Sequence, residues 1–163
     1  MIDTIGHEAL IYIKTEQMGA KERLVAIIEN LKVHSSVVGV STVYSSSESS
    51  VQKQDPDLMV ELVCRLRTRL DVMVLKSELD QLKGFRVDIT LLVYDDLISM
   101  VPQLTLPWPD LHKEGLVIRA AAEVHPHYIH PVFKESLADL SGKNQKIDKK
   151  VEFFMQGRIL HES

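Results

Sequence analysis

Hydrophobic positions in this chain follow two spacings, one typical of strands and one typical of helices. Between residues 58 and 67, apolar side chains recur at every second position, which predicts a strand with one buried face. A spacing of i, i+3, i+4 and i+7 predicts a helix over residues 20–32, with a stripe formed by Leu24, Ile27, Ile28 and Leu31. The same patterns predict strands and helices, in chain order, at residues 9–13, 20–32, 37–44, 58–67, 70–83 and 85–94.

The predicted order is βαββαβ, which favours a ferredoxin-like α+β fold. In such a fold two helices cover one face of an antiparallel sheet. A further helix is predicted over residues 110–124, with Asp110 as its N-cap, as a C-terminal helical extension. The serine-rich stretch 45–50 indicates a loop.

Length and composition predict one domain. The chain has 163 residues, and we expect a core over about residues 8–133 and a polar tail over residues 141–163. Within the tail, residues 151–155 have the composition of an edge strand.

Charge and cysteine content narrow the class of protein. A net charge of −4 argues against a dedicated nucleic-acid-binding protein. The single cysteine, Cys64, fits a reducing compartment, and no apolar run approaches the roughly 20 residues of a membrane span. The N-terminus lacks the pattern of a signal peptide. We therefore expect a cytoplasmic protein that contacts neither nucleic acid nor membrane.

An ordered set of segments resembles one enzyme family. The segments are residues 40–44, 57–68 and 87–94, then Leu104-Thr-Leu-Pro107, with Gly115, Glu123 and Pro126 following at similar spacing. They are similar to those of the 6-hydroxymethyl-7,8-dihydropterin pyrophosphokinase (HPPK) family, over roughly residues 9–131. That family transfers a pyrophosphoryl group from ATP to a pterin alcohol in folate biosynthesis.

The resemblance implies where magnesium, ATP and pterin would bind. The family holds two Mg²⁺ ions with two aspartates, two residues apart on one strand, and these positions are Asp88 and Thr90 here. The resemblance therefore implies Asp88 as the catalytic and metal-binding residue, with Thr90 in the second metal position. The implied ligand-binding positions are Glu61, Ser46, Trp108 and Leu116.

Several family residues are replaced in this chain. Thr90 offers a neutral hydroxyl in place of a carboxylate, and magnesium prefers hard, charged oxygen ligands. Glu114 replaces an arginine that meets the ATP phosphates, and Leu116 replaces a phenylalanine that stacks on the pterin. These changes predict a degenerate ATP and magnesium site.

Each candidate residue also has a structural interpretation. Asp88 could pair with Arg86, and Glu61 with Arg65 on the same strand face. Trp108 could simply pack in its loop.

The histidines at 125, 127 and 130 match no standard zinc spacing. We expect them to bind no metal.

Three interpretations of function follow. The chain is an HPPK-family enzyme that uses Mg²⁺ and ATP, a non-catalytic relative that binds a pterin-like molecule, or a scaffold whose cleft serves a homodimer or a protein partner. The lost site residues favour a pseudoenzyme over an active kinase.

Overall fold

The structure is a computed structural model and describes residues 6–47, 58–84, 86–144 and 150–161. Within these residues the chain forms the following strands and helices: β1 (His7–Glu16), α1 (Ala20–Leu31), β2 (Ser35–Val40), β3 (Val43–Ser47), β4 (Met59–Thr68), α2 (Val72–Leu82), β5 (Val87–Tyr94), β6 (Ser99–Val101), β7 (Leu104–Leu106), α3 (Gly115–Val124), α4 (Leu137–Lys143), β8 (Lys150–Met155) and α5 (Arg158–His161).

Six strands form one antiparallel sheet, in the order β5-β1-β4-β3-β8, and β2 also pairs with β4. The predicted α+β fold with an antiparallel sheet is confirmed. The predicted strand 37–44 is divided, because Ser41 interrupts the ladder. The Ser41 N–H donates to the carbonyl of Val63, and the Ser41 hydroxyl accepts from the Val63 N–H.

Helices α1 and α2 cover one face of the sheet, as predicted. Leu24 and Ile28 of α1 and Leu75 and Leu79 of α2 are buried there, in one cluster with the inward side chains of the strands. Asp71 caps α2 through its carboxylate, which accepts from the Met73 N–H at 3.2 Å. The apolar stripes that predicted these helices are therefore the surfaces that they bury.

The second face of the sheet is covered by α3 and α4. Leu10, Val63 and Leu92 form a separate apolar cluster there with residues of α3, among them Leu116 and Ile118. Helices therefore lie on both faces, and the description of a sheet with helices on one face is correct only for α1 and α2. The C-terminal extension supplies the opposite layer.

Helix α3 begins later than the sequence predicts. It starts at Gly115, and Glu114 rather than Asp110 occupies the N-cap position. The carbonyl of Asp110 accepts from the N–H groups of Lys113 and Glu114 at 2.9 Å, which closes a separate turn ahead of the helix.

The alternation of faces along β5 changes near its end. The pairing with β1 shifts register between Leu10 and Ile11, which leaves Leu92 without an opposite residue. As a result Val93 joins the α3 cluster and Tyr94 joins the cluster of α1 and α2. A strict period of two would instead place Tyr94 with Leu92, and Val93 on the opposite face, but an irregularity of this kind exchanges the faces of the residues that follow it.

The C-terminal segment returns to the sheet. The predicted edge strand at 151–155 is confirmed, and β8 pairs with β3. Ser45 and Ser46 lie in β3 rather than in a loop, and residues 48–57 lie outside the described residues. Leu160 of α5 is fully buried in the cluster of α1 and α2.

Candidate ligand-binding site

A row of charged side chains crosses the sheet on the face that α3 partly covers. Lys14 in β1 lies opposite Glu61 in β4 and opposite Asp88 in β5. Directly opposed antiparallel residues have Cβ atoms roughly 4.5–5.5 Å apart, so Lys14 separates the two acidic residues. Two residues earlier in β1, Tyr12 lies opposite Thr90.

Glu61 is a buried carboxylate at the centre of this row, with 1% of its surface exposed. Its two oxygens accept hydrogen bonds from the hydroxyls of Tyr12 and Ser46. Burying a charged group is costly unless it is hydrogen-bonded, and these two bonds offset part of that cost.

The structural interpretation of Glu61 as a partner of Arg65 is wrong. The Arg65 guanidinium binds Glu8, with Nε 3.2 Å from Oε2, and also donates to the carbonyl of Val124. Arg65 is therefore held at the opposite end of β4 from the candidate site.

Tyr12 and Trp108 form an aromatic wall beside Glu61. Their ring centroids are 6.0 Å apart with an interplanar angle of 36°, within the range of favourable aromatic pairs. The backbone N–H of Trp108 donates to the carbonyl of Leu92 at 2.8 Å, which fixes the loop against β5. Trp108 is half-buried, so part of its ring stays accessible.

The site is acidic around the phenol of Tyr12. Burial and the adjacent carboxylate of Glu61 raise the pKa of Tyr12 far above its usual value, and Glu114 and Asp88 raise it further. Three carboxylates therefore act on one hydroxyl, and Tyr12 stays protonated as a hydrogen-bond donor at physiological pH. The same concentration of negative charge disfavours an approaching phosphate.

Asp88 is exposed and Thr90 is half-buried, and both lie on the site face of β5. Arg86 forms an ion pair with Glu16, with Nη1 3.0 Å from Oε2. Among the described residues none forms an ion pair with Asp88, so the interpretation of Asp88 as a partner of Arg86 is wrong.

The residues of this site do not fit a pair of magnesium ions. Magnesium is held by carboxylates together with phosphate oxygens and water. Here Asp88 is one carboxylate, Thr90 adds a neutral hydroxyl, and Lys14 brings a positive charge to the same row. Within the described ranges no three acidic, histidine or cysteine side chains come together as a metal site.

Leu116 is buried, with 3% of its surface exposed. It lies in the cluster of α3, α4 and the sheet against which Tyr12 and Trp108 also pack. The structure thus brings Glu61, Ser46 and Trp108 together, and Asp88 belongs to the same row of charged residues. Leu116 packs behind them and supports helix α3.

Sequence reasoning missed Tyr12 and Lys14. Tyr12 belongs to the apolar run 9–13 that was interpreted only as a strand, and Lys14 directly follows it; period two places both on the face opposite Ile11 and Ile13. The sequence patterns also did not predict a hydrogen bond that the Tyr44 hydroxyl donates to the Glu123 carboxylate. Burial and this hydrogen bond raise the pKa of Tyr44 to about 12.

Two of the three histidines, His125 and His130, have structural surroundings. His130 is 3% exposed, and its Nδ1 accepts from the N–H groups of Val132 and Phe133 at 3.2 Å. His125 packs against the ring of Tyr128 at 5.4 Å.

These observations define an α+β protein with helices on both faces of its sheet and an acidic, aromatic cluster on the face that α3 partly covers. No family model matches the sequence. Among curated proteins, the chain is similar to the 2-amino-4-hydroxy-6-hydroxymethyldihydropteridine pyrophosphokinase of Aquifex aeolicus (strain VF5). The two are 25% identical over 127 residues, which cover 72% of this chain and 79% of that protein.

Solved structures share the fold. The wild-type HPPK-DHPS of Plasmodium falciparum with pterin and p-hydroxybenzoate superposes with a TM-score of 0.69 at 10% identity, over 87% of this chain and 42% of that chain. The A437G variant with SDX-DHP gives a TM-score of 0.69 at 12% identity, over 91% of this chain and 49% of that chain. This chain thus spans less than half the length of those two chains.

The chain is thus HPPK-like in both sequence and fold. No helix among the described residues is long and apolar enough to cross a membrane.

Proposed function

We propose that this HPPK-like protein binds a pterin-like heterocycle in the cleft of Glu61, Tyr12 and Trp108, without transferring a pyrophosphoryl group to it. The observation that carries the proposal is the buried carboxylate of Glu61 beside an aromatic wall. A flat heterocycle with adjacent ring N–H and amino groups can donate two hydrogen bonds to one carboxylate.

Shape and polarity support the same class of ligand. Trp108 offers a partly accessible ring on which a flat molecule can stack. The hydroxyls of Tyr12 and Ser46 hold the Glu61 carboxylate in place, so little ordering is needed when the ligand binds. A neutral heterocycle also avoids the repulsion that an anionic ligand would meet there.

The charges of the site argue against phosphate chemistry. Pyrophosphoryl transfer depends on positive groups that neutralise developing charge on the phosphates. Here the exposed carboxylate of Glu114 stands at the N-terminus of α3, where an arginine would meet the phosphates in the family. A carboxylate about 4 Å from a phosphate charge costs roughly 4 kcal/mol at an effective dielectric constant of 20.

Pyrophosphoryl transfer from ATP is the second candidate function. It is favoured by the similarity to the Aquifex aeolicus pyrophosphokinase, which covers 79% of that enzyme, and by the exposed carboxylate of Asp88 on the site face. ATP and Mg²⁺ would be required for it, and Lys14 would then supply one positive charge near the phosphates.

The chain carries a direct reporter for ligand binding, because Trp108 is its only tryptophan. We expect 6-hydroxymethylpterin to change the Trp108 fluorescence saturably in the absence of nucleotide and metal. Glu61→Gln should weaken the affinity about tenfold or more, since one charge-assisted hydrogen-bond acceptor is lost. Glu29→Gln, on the exposed surface of α1, is the matched control and should bind like the wild type.

Two results would reject the proposal. One is a fluorescence signal that does not saturate, and the other is an affinity that Glu61→Gln leaves unchanged. Formation of AMP from ATP in the presence of Mg²⁺ and the reduced pterin would instead establish the second candidate function.

A further inference from the structure

A second cleft lies at the opposite end of the sheet from the candidate site. It is an open cleft of about 580 Å³, within the range of small-molecule sites, and lies where the end of α1 meets the ends of β2 and β4. Thr68, in its wall, is seven residues along β4 from Glu61, about 23 Å at the rise of a strand. The two clefts are therefore separate.

Positive charge dominates this cleft, although the whole chain is acidic. Among its nine described lining residues none is acidic, and four carry basic side chains, namely Lys32, His34, Arg67 and Arg69. Ser35, Ser36 and Thr68 add hydroxyls. Guanidinium, ammonium and hydroxyl groups are the side chains that recognise phosphate.

The floor of the cleft is fixed by the pairing of β2 with β4. Ser35 lies opposite Thr68 and donates a hydrogen bond to its hydroxyl at 2.8 Å. Ser36 lies opposite Arg67. The Arg67 side chain passes close to Gly6, where an added Cβ would stand only 3.1 Å from Nε. The cationic side chains therefore project from, or directly flank, a hydrogen-bonded part of the β2–β4 pairing.

The neighbouring carboxylates hold these cations only loosely. Glu8 lies 3.4 Å from Arg67, Glu29 lies 3.6 Å from Lys32, and Glu78 lies 3.5 Å from His34. Exposed ion pairs of this kind typically contribute about 0–1 kcal/mol, so an anion can compete with them. Arg69 is exposed and forms no ion pair with any other described residue.

We propose that this cleft binds a phosphorylated small molecule, with Arg67, Arg69 and Lys32 as the phosphate-binding side chains. The proposal is independent of the function of the Glu61 cleft. The volume of the cleft exceeds the size of a single phosphate group, which leaves room for the rest of such a ligand. The polar lining argues that this remainder is itself hydrophilic.

Inorganic pyrophosphate is a suitable probe, used with EDTA to remove divalent ions. In ¹H–¹⁵N NMR spectra we expect saturable shifts at Ser35, Ser36, Thr68 and Arg69, and none at Thr90 or Glu114. Arg69→Gln and Lys32→Gln should each weaken binding about tenfold, because each removes one charge-assisted contact. Both residues lie at the surface, so the variants are expected to fold.

Lys21→Gln is the matched control, because Lys21 is exposed at the other end of α1. It should bind pyrophosphate like the wild type. The proposal is overturned if no saturable shifts occur at millimolar pyrophosphate. It is also overturned if the shifts fall around Thr90, or if Arg69→Gln and Lys21→Gln behave alike.

Discussion

The two faces of the sheet use the same strands for different purposes. On the face under α1 and α2, most inward residues are buried and apolar, as Ile11 and Ile13 are. On the other face, Leu10 is buried against α3, but Tyr12 and Lys14 next to it face the acidic cleft. One face therefore stabilises the fold along its whole length, whereas the other does so only in part and provides the candidate site.

The largest loss of stability is expected from the apolar face. Leu24 of α1 is completely buried in its cluster. Leu24→Ala removes apolar contacts and leaves a cavity, which should lower the free energy of unfolding by about 2–5 kcal/mol. Urea denaturation followed by circular dichroism measures this change.

Val74→Ala on α2 is the control for that substitution, because 48% of the Val74 side chain is exposed. Its effect should stay within about 0.5 kcal/mol. Equal effects of the two substitutions would mean that α1 does not form the main core.

The second-largest loss of stability is expected where α5 meets β2. A Cβ at Gly157 would stand 2.0 Å from the carbonyl oxygen of Ser41 and 2.6 Å from that of Val40. These are backbone atoms that cannot move aside, so Gly157→Ala should cost about 1–3 kcal/mol in unfolding free energy. The displaced α5 would also expose Leu160, which increased hydrogen exchange of the α5 amides would detect.

Gly142→Ala is the matched control in α4, since a Cβ there meets no atom within 4 Å. Because alanine favours a helix over glycine, this variant should be as stable as the wild type or more so. A loss of stability in Gly142→Ala equal to that in Gly157→Ala would refute the steric explanation.

The apolar face was predictable from the sequence, and the site face was predictable only in part. The stripe of α1 and the alternation in β4 correspond directly to buried surfaces. The family resemblance pointed to Glu61 and Trp108, which the structure connects through Tyr12. It did not point to Tyr12 itself, because period two gives the face of Tyr12 but not the carboxylate of a distant strand that its hydroxyl binds. The exchange of Val93 and Tyr94 depends on a register shift between two distant strands, which local periodicity does not contain.

Glu61→Gln tests whether Glu61 contributes to ligand binding or to the stability of the fold. Glutamine keeps one oxygen that accepts from a hydroxyl, and it removes a buried charge, so unfolding free energy should change by less than about 1 kcal/mol. Ligand affinity should nevertheless fall about tenfold or more, as measured through Trp108. If stability fell as far as in Leu24→Ala, Glu61 would be a structural residue and the contrast between the faces would fail.

The smallest effect concerns the pH dependence of stability. Burial and the nearby His112 lower the pKa of His130, whose imidazole accepts backbone hydrogen bonds in its neutral form. A group with a lowered pKa in the folded state stabilises the protein above its unfolded pKa, about 6.5, and this contribution is lost as pH falls toward the folded value. His130→Asn keeps an acceptor that does not titrate, so its unfolding free energy should decline less between pH 7 and pH 5 than that of the wild type.

His127→Asn, at an exposed position, is the control, and its unfolding free energy should decline in parallel with that of the wild type. Parallel declines of all three proteins in urea denaturation would show that His130 does not contribute to acid sensitivity.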